Sequence, residues 1–223
     1  MARKSKNKSR IPYIIVFWEG ESEKQYFMFL KDRFHENANL NIHRKKGLFG
    51  TADKAFSVKG VYYEDLLDVD EIWIVFDTEV VMRKKWEENW DIVKSLRKKC
   101  KNAMVKLYMT KGCIEYYFLL HYEKIQPLIV TVQDKENLLK RLSSKEYCPG
   151  YKKGDKETTW KIAEKYETAI KNGEWCLKGI TDEFEDISNE DAVTRELYFT
   201  DSTFTNTHRA VMHLIDLRNQ ISR

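Results

Sequence analysis

An α/β fold, built on a parallel sheet of about four strands flanked by helices and followed by a mainly helical C-terminal region, is predicted by three observations. First, Glu71 to Glu79, EIWIVFDTE, holds five apolar residues in a row. A run that short, and that rich in β-branched and aromatic residues, reads as a strand buried on both faces. Second, Ile11 to Trp18, IPYIIVFW, is a run of the same kind, and acids close both: Glu19 after one, Asp77 and Glu79 at the end of the other. Third, apolar runs alternate with segments of helical period as far as about residue 126. Such alternation predicts parallel strands joined by right-handed crossovers. The expected organisation is a disordered basic arm over 1–10, an α/β core over 11–126, and a mainly helical region over 127–223 packed on that core.

The elements follow in order. Pro12 opens the first strand, where its missing N–H does little harm. Ser22 with Gln25 three residues on has the form of a capping box, and Tyr26, Phe27, Phe29 and Leu30 give the next helix a buried face. Leu40 to His43 is a weaker strand, and Lys54 to Leu67 is expected to be helical despite Gly60. After the Glu71 strand, Trp86, Trp90, Val93 and Leu96 recur at helical spacing, and Arg97, Lys98 and Lys99 close that helix where positive charge suits its dipole. Ala103 to Met109 is the fourth strand, Lys111 and Gly112 the turn, and Ile114 to Tyr122 a very apolar helix. Later helices are expected over Gln133–Leu142, over Lys156–Asn172 with Gly173 as the stop, and over Thr207–Gln220.

Composition narrows the classes. Lys and Arg exceed Asp and Glu by only four although a third of the chain is charged, so the distribution of charge matters more than its sum. Five of the first ten residues are basic, a segment suited to touching nucleic acid or simply to solubility. Cys100, Cys113, Cys148 and Cys176 show no C-x-x-C pairing and no pattern shared with the histidines, which argues against structural zinc. Scattered cysteines without a signal peptide fit a reducing cytoplasm, and no apolar run approaches the length of a membrane span. No G-x-x-x-x-G-K-[ST] loop is present, so ATP hydrolysis by this chain is not expected.

The acids carry the chemistry. Asp77 and Glu79, two apart on extended backbone, point the same way. At the carboxyl edge of an open α/β sheet they face the crevice where ligands bind. Two carboxylates about 4 Å apart repel by roughly 1 kcal/mol in water and about 4 at an effective dielectric near 20, which a divalent cation reverses. The plainer reading makes Asp77 a cap of the next helix and Glu79 a solvated acid. Glu19, in the turn after the first strand, reaches the same edge. Glu115 lies among apolar neighbours and needs a partner; it is either a first-turn acid on the helix dipole or a member of the acidic site. Lys111, Lys152 and Lys153 are candidates for phosphate contact, with solvated surface lysines as the alternative.

Glu19-Gly20 after one strand and an Asp-x-acid pair after another resemble the Toprim arrangement of topoisomerases, primases and related nucleases. EGESEKQYF, IWIVFDTE, CIEYYFLLHY, YKKGD and NTHRAVMHLI, in that order over nearly the whole chain, resemble the RloB family, a Toprim-like group associated with bacterial restriction and phage-defence loci. The resemblance implies a Toprim-like core and a nuclease dependent on Mg2+ or Mn2+. In it Glu19 is the Toprim glutamate, sharing the metal or moving a proton, and Asp77 and Glu79 hold the metal. It also marks Glu23, Glu115 and His121 as pattern positions. DNA or RNA is the implied substrate, with a partner ATPase from the same locus and homo-oligomer formation left open. Two departures stand out: Glu79 replaces the usual second Asp, and Thr110-Lys111-Gly112 replaces Ser-Asn-Pro. The first favours an alternative, a catalytically inactive subunit that works with the ATPase.

Overall fold

The computed structural model describes residues 11–78, 85–184 and 189–221; the basic arm 1–10 and Glu79 lie outside the described residues. Four strands, β1 (Tyr13–Trp18), β2 (Asn39–Ile42), β3 (Glu71–Thr78) and β4 (Met104–Lys111), form one sheet in the order β2-β1-β3-β4. Every pairing is parallel. The α/β architecture read from the sequence is the one observed. The central strands are apolar throughout because both faces are covered: Ile14–Trp18 and Ile72–Phe76 are buried. On β3, Trp73 packs edge-on against Phe27 of α1 (Glu21–Arg33), whereas Phe76 meets Phe49 of α2 (Phe49–Ala55). Residues three apart on a strand point to opposite faces, so α1 and α2 lie on opposite sides of the sheet. Fully burying one such side chain contributes about 1.5–3 kcal/mol.

Several expected boundaries shift for local reasons. The capping box at Ser22 does not form: Gly20 is the N-cap of α1 and Ser22 lies inside the helix, with its hydroxyl committed elsewhere. The helix expected over 54–67 is replaced by α2 and a series of turns. Lys59 sits at φ 69°, and a Cβ on Gly60 would lie 2.2 Å from the Ala55 carbonyl oxygen. The chain doubles back there, and Tyr62 N–H donates to the Ala55 carbonyl. Between β3 and β4, α3 (Trp86–Lys99) runs as its periodicity predicts. β4 continues through Lys111, so the turn falls on Gly112 alone, at φ 94°.

The second half is helical: α4 (Ile114–Leu119), α5 (Val132–Leu142), α6 (Lys156–Ala163), α7 (Tyr166–Thr181), α8 (Glu190–Phe199) and α9 (His208–Ile221). The single helix expected over 156–172 breaks at Glu164 and Lys165 instead of stopping at Gly173, which lies within α7. α8 is not anticipated from the sequence, although Asn189 caps it and Glu190 and Asp191 fill its first turn. This half shares one continuous core with the sheet. Asn206 clips the outer edge of β4, accepting from Met109 N–H and donating to the Leu107 carbonyl. Glu71, buried at the start of β3, bonds His213 of α9, Lys106 and the Trp73 indole N–H. Burial alone pushes this carboxyl up, but those donors outweigh it and hold Glu71 below the usual carboxylate range.

Gly173 is required by packing, since a Cβ there would lie 2.4 Å from His208 Nδ1. Alanine is favoured over glycine in an exposed helix by about 1 kcal/mol, yet Gly173→Ala is expected to destabilise the protein by about 1–3 kcal/mol through overpacking. Urea denaturation of both proteins measures it; a gain in stability on Gly173→Ala would show that His208 yields freely.

Candidate functional site

From β1 the chain first moves outward to β2 and then returns to the other side of β1 as β3. The order therefore reverses between β1 and β3, and the crevice beyond their carboxyl ends is the position where open α/β sheets place ligands. Glu19 follows β1 and Asp77 lies near the end of β3. The two meet directly, as Asp77 N–H donates to Glu19 Oε2 at 2.9 Å. The Glu23 carboxylate folds back over Gly20, with Oε2 2.6 Å from where a Cβ would stand, so a larger residue at 20 would have to displace that carboxylate. Glu115 enters from the first turn of α4. These four acids line a cavity of about 220 Å3 together with Lys153 and a fifth acid, Glu21, whose carboxylate pairs with Lys24.

The acids are crowded, with Glu23 and Glu115 buried and Glu19 and Asp77 partly so. Burial, then the charges of Glu23, Glu19 and Glu115, push the Asp77 carboxyl well above the carboxylate range, against a hydrogen bond from Ile114 N–H. Burial, with the charges of Glu115 and Glu19, pushes Glu23 up to about 7. Asp77 does not cap α3, the next helix among the described residues, whose N-cap is Lys85. Its Oδ1 is buried and takes no hydrogen bond among the described residues.

The loop after α5 completes the site. Tyr151 donates its hydroxyl to Glu115 Oε1 at 3.0 Å, and Lys153 Nζ lies 3.3 Å from Oε2. Ser22 Oγ bonds the Tyr151 hydroxyl and accepts Gly154 N–H, tying the loop to α1. Glu115 thus stands with the acidic cluster, its buried charge partnered by Lys153. Tyr151 and Ser22 are not legible as site residues in the sequence; the tyrosine beside two lysines in YKKGD is the signal that points to the former.

The remaining candidates stand apart. Lys111 is buried, donates to the Thr200 carbonyl and does not line the acidic pocket. Lys152 is exposed on the loop. His121 is a core residue: Nδ1–H donates to the Tyr117 carbonyl, Nε2 accepts from Tyr26, and burial depresses its pKa to about 3, so it stays neutral. The four cysteines are buried and free. A larger cavity of about 490 Å3 flanks β4; of its cations, Arg97, Lys106 and Arg209 already face Asp191, Glu71 and Glu174.

Among the described residues no three His, Cys, Asp or Glu side chains are already drawn together as a metal cage. The donor chemistry nevertheless fits a hard divalent cation, which takes carboxylate oxygens: four acids converge, and Asp77 Oδ1 is buried without a partner.

Fold and site together define a parallel α/β protein with a carboxylate pocket at the reversal point of its sheet. A family model described as RloB-like protein matches residues 14–214, and the chain belongs to that family. No curated protein and no solved structure matches it. No helix among the described residues is long and apolar enough to cross a membrane.

Glu23 sets a pH dependence. Its folded pKa, about 7, exceeds the ordinary 4.5, so folding favours the protonated acid. The stability this confers is complete below about pH 4.5 and is lost as pH rises through about 7; the upward shift of Asp77 acts in the same sense. In chelator, the melting temperature is expected to fall between pH 5 and 8, and to fall less in Glu23→Gln. Parallel curves for the two proteins would mean that Glu23 ionises as it does in water.

Proposed function

We propose that this protein is a divalent-metal-dependent phosphodiesterase of the Toprim nuclease type, acting on DNA or RNA in bacterial anti-phage defence in the cytoplasm. The observation that carries the reading is the convergence of Glu19, Glu23, Asp77 and Glu115 at the sheet's reversal point, with a buried carboxylate oxygen left unpaired. Asp77 and Glu19 would hold Mg2+ or Mn2+; the family pattern adds Glu79, outside the described residues. Bound there, the ion supplies polarisation of a phosphate oxygen and offsets the charge that develops at phosphorus.

The chain's own groups do the rest. A carboxyl that titrates near neutrality suits proton transfer at the working pH, and Glu23 is pushed to that range by burial and its acidic neighbours. Glu115, fixed by Tyr151, keeps its orientation at the pocket wall. Lys152 and Lys153, exposed on the loop that carries Tyr151, would make the sequence-independent phosphate contacts that position a nucleic acid.

A second reading is a non-catalytic subunit that works with a partner ATPase, alone or as a homo-oligomer. One observation favours it: the Lys153 ion pair already neutralises part of the acidic pocket. Cleavage assays on DNA and on RNA, with Mg2+, Mn2+ or chelator, separate the two.

Asp77→Asn is expected to abolish metal-dependent cleavage without unfolding the protein. Asparagine keeps the shape and can still accept Ile114 N–H, while the like-charge repulsion is relieved. Stability in chelator should hold level or rise by about 1 kcal/mol. Added metal should then raise the melting temperature of the wild type much more than that of the variant, by ligand linkage. Full cleavage by Asp77→Asn, or equal metal stabilisation of both proteins, would remove Asp77 from the mechanism.

A further inference from the structure

We propose that Lys153 is the built-in counter-cation of the carboxylate pocket, and that its ion pair with Glu115 and a bound divalent cation are alternative occupants of one site. The inference rests on the metal-dependent reading above and deepens it: the lysine holds the acids together while no metal is bound and leaves when one enters.

Three features support it. Among the described residues lining the pocket, Lys153 is the only cation against five acids, of which Glu21 pairs with Lys24. Its ammonium sits 3.3 Å from Glu115 Oε2, and Glu23 and Asp77 also feel its charge. An ammonium and a divalent ion that seek the same oxygens repel each other, so both cannot rest there. The lysine is also free to go. Glu115 is almost wholly buried, whereas the Lys153 side chain is 57% exposed, so only its head need move.

The loop need not move with it. Gly154 N–H is held by Ser22 and the Tyr151 hydroxyl by Glu115 Oε1, which fixes the backbone on either side of the lysine. Gly154 itself is at φ 74°, and a Cβ would lie 2.6 Å from that of Glu21, so the loop is seated closely on α1. Exchange is therefore a side-chain rotation. The displaced ammonium swings to the pocket mouth beside Lys152, where an incoming phosphate would meet it, and Glu115 keeps its Tyr151 bond. Metal entry thereby converts a structural ion pair into a substrate contact.

Direct Mn2+ binding to the full chain, followed by the electron paramagnetic resonance signal of free Mn2+, tests this without reference to cleavage. Lys153→Met is expected to bind Mn2+ more tightly than wild type, on the order of tenfold for removal of one competing charge at a partly exposed position. It should melt lower than wild type in chelator and gain more from Mn2+. Lys153→Arg, which restores the charge, should return toward wild-type affinity. Lys153→Gln serves as a second neutral variant should the methionine protein fail to fold. If the neutral variants bind Mn2+ no more tightly than a wild type that binds Mn2+ and cleaves with it, the competition is refuted and the nuclease reading survives. Binding by the neutral variants but not by wild type would support the counter-cation and count against a metalloenzyme. Absence of binding in all of them would overturn both.

Discussion

Like charge confined in a narrow crevice is the constraint on which the rest of this structure depends. Parallel strands deliver their carboxyl ends to one edge, and the reversal between β1 and β3 opens a gap there. Around that gap stand Glu19 after β1, Glu23 in α1, Asp77 near the end of β3 and Glu115 in α4. Such an arrangement is unfavourable without compensation, because burial and mutual repulsion both disfavour the ionised forms. The fold compensates in several ways: Ile114 N–H donates to Asp77, Asp77 N–H donates to Glu19, and Tyr151 and Lys153 attend Glu115. The C-terminal half is thus part of the site's electrostatics as well as its packing.

The other end of the sheet shows the contrast. Glu71 is also buried, yet its three donors leave it fully satisfied and below the usual carboxylate range. A buried acid with complete partners is a strut; one whose Oδ1 lacks a partner, as in Asp77, is poised to take a ligand. The difference between them lies in hydrogen bonding rather than in depth.

How far the sequence alone reveals this follows from the range of each interaction. The strands are legible because burial on both faces leaves uninterrupted apolar runs, and Glu19 and Asp77 are legible because they end those runs. The reversal of direction at Lys59 and Gly60 is hidden, since Phe56, Val58, Tyr62, Tyr63, Leu66 and Leu67 read as the apolar side of a helix although Val58, Tyr63 and Leu67 are exposed in the fold. Gly173 reads as a stop, but its lack of a side chain serves His208, 35 positions away. Lys111 reads as a surface cation next to a turn, whereas a buried strand end directs it to Thr200. Tyr151 and Ser22 belong together only once α1 and the loop are packed, a relation between residues 129 positions apart. Local pattern reports faces and ends; it does not report which distant groups will satisfy a buried acid.

The hydrogen-bond chain from Gly154 through Ser22 and Tyr151 to Glu115 also bears on how the molecule is made. Synthesis proceeds from the N-terminus, so all four acids leave the ribosome before the segment that carries Tyr151 and Lys153. A nascent chain that has reached only α4 holds an acidic crevice with its counter-charge still to come. Balance of the crevice consequently waits on the loop after α5, a segment made well after the acids it attends.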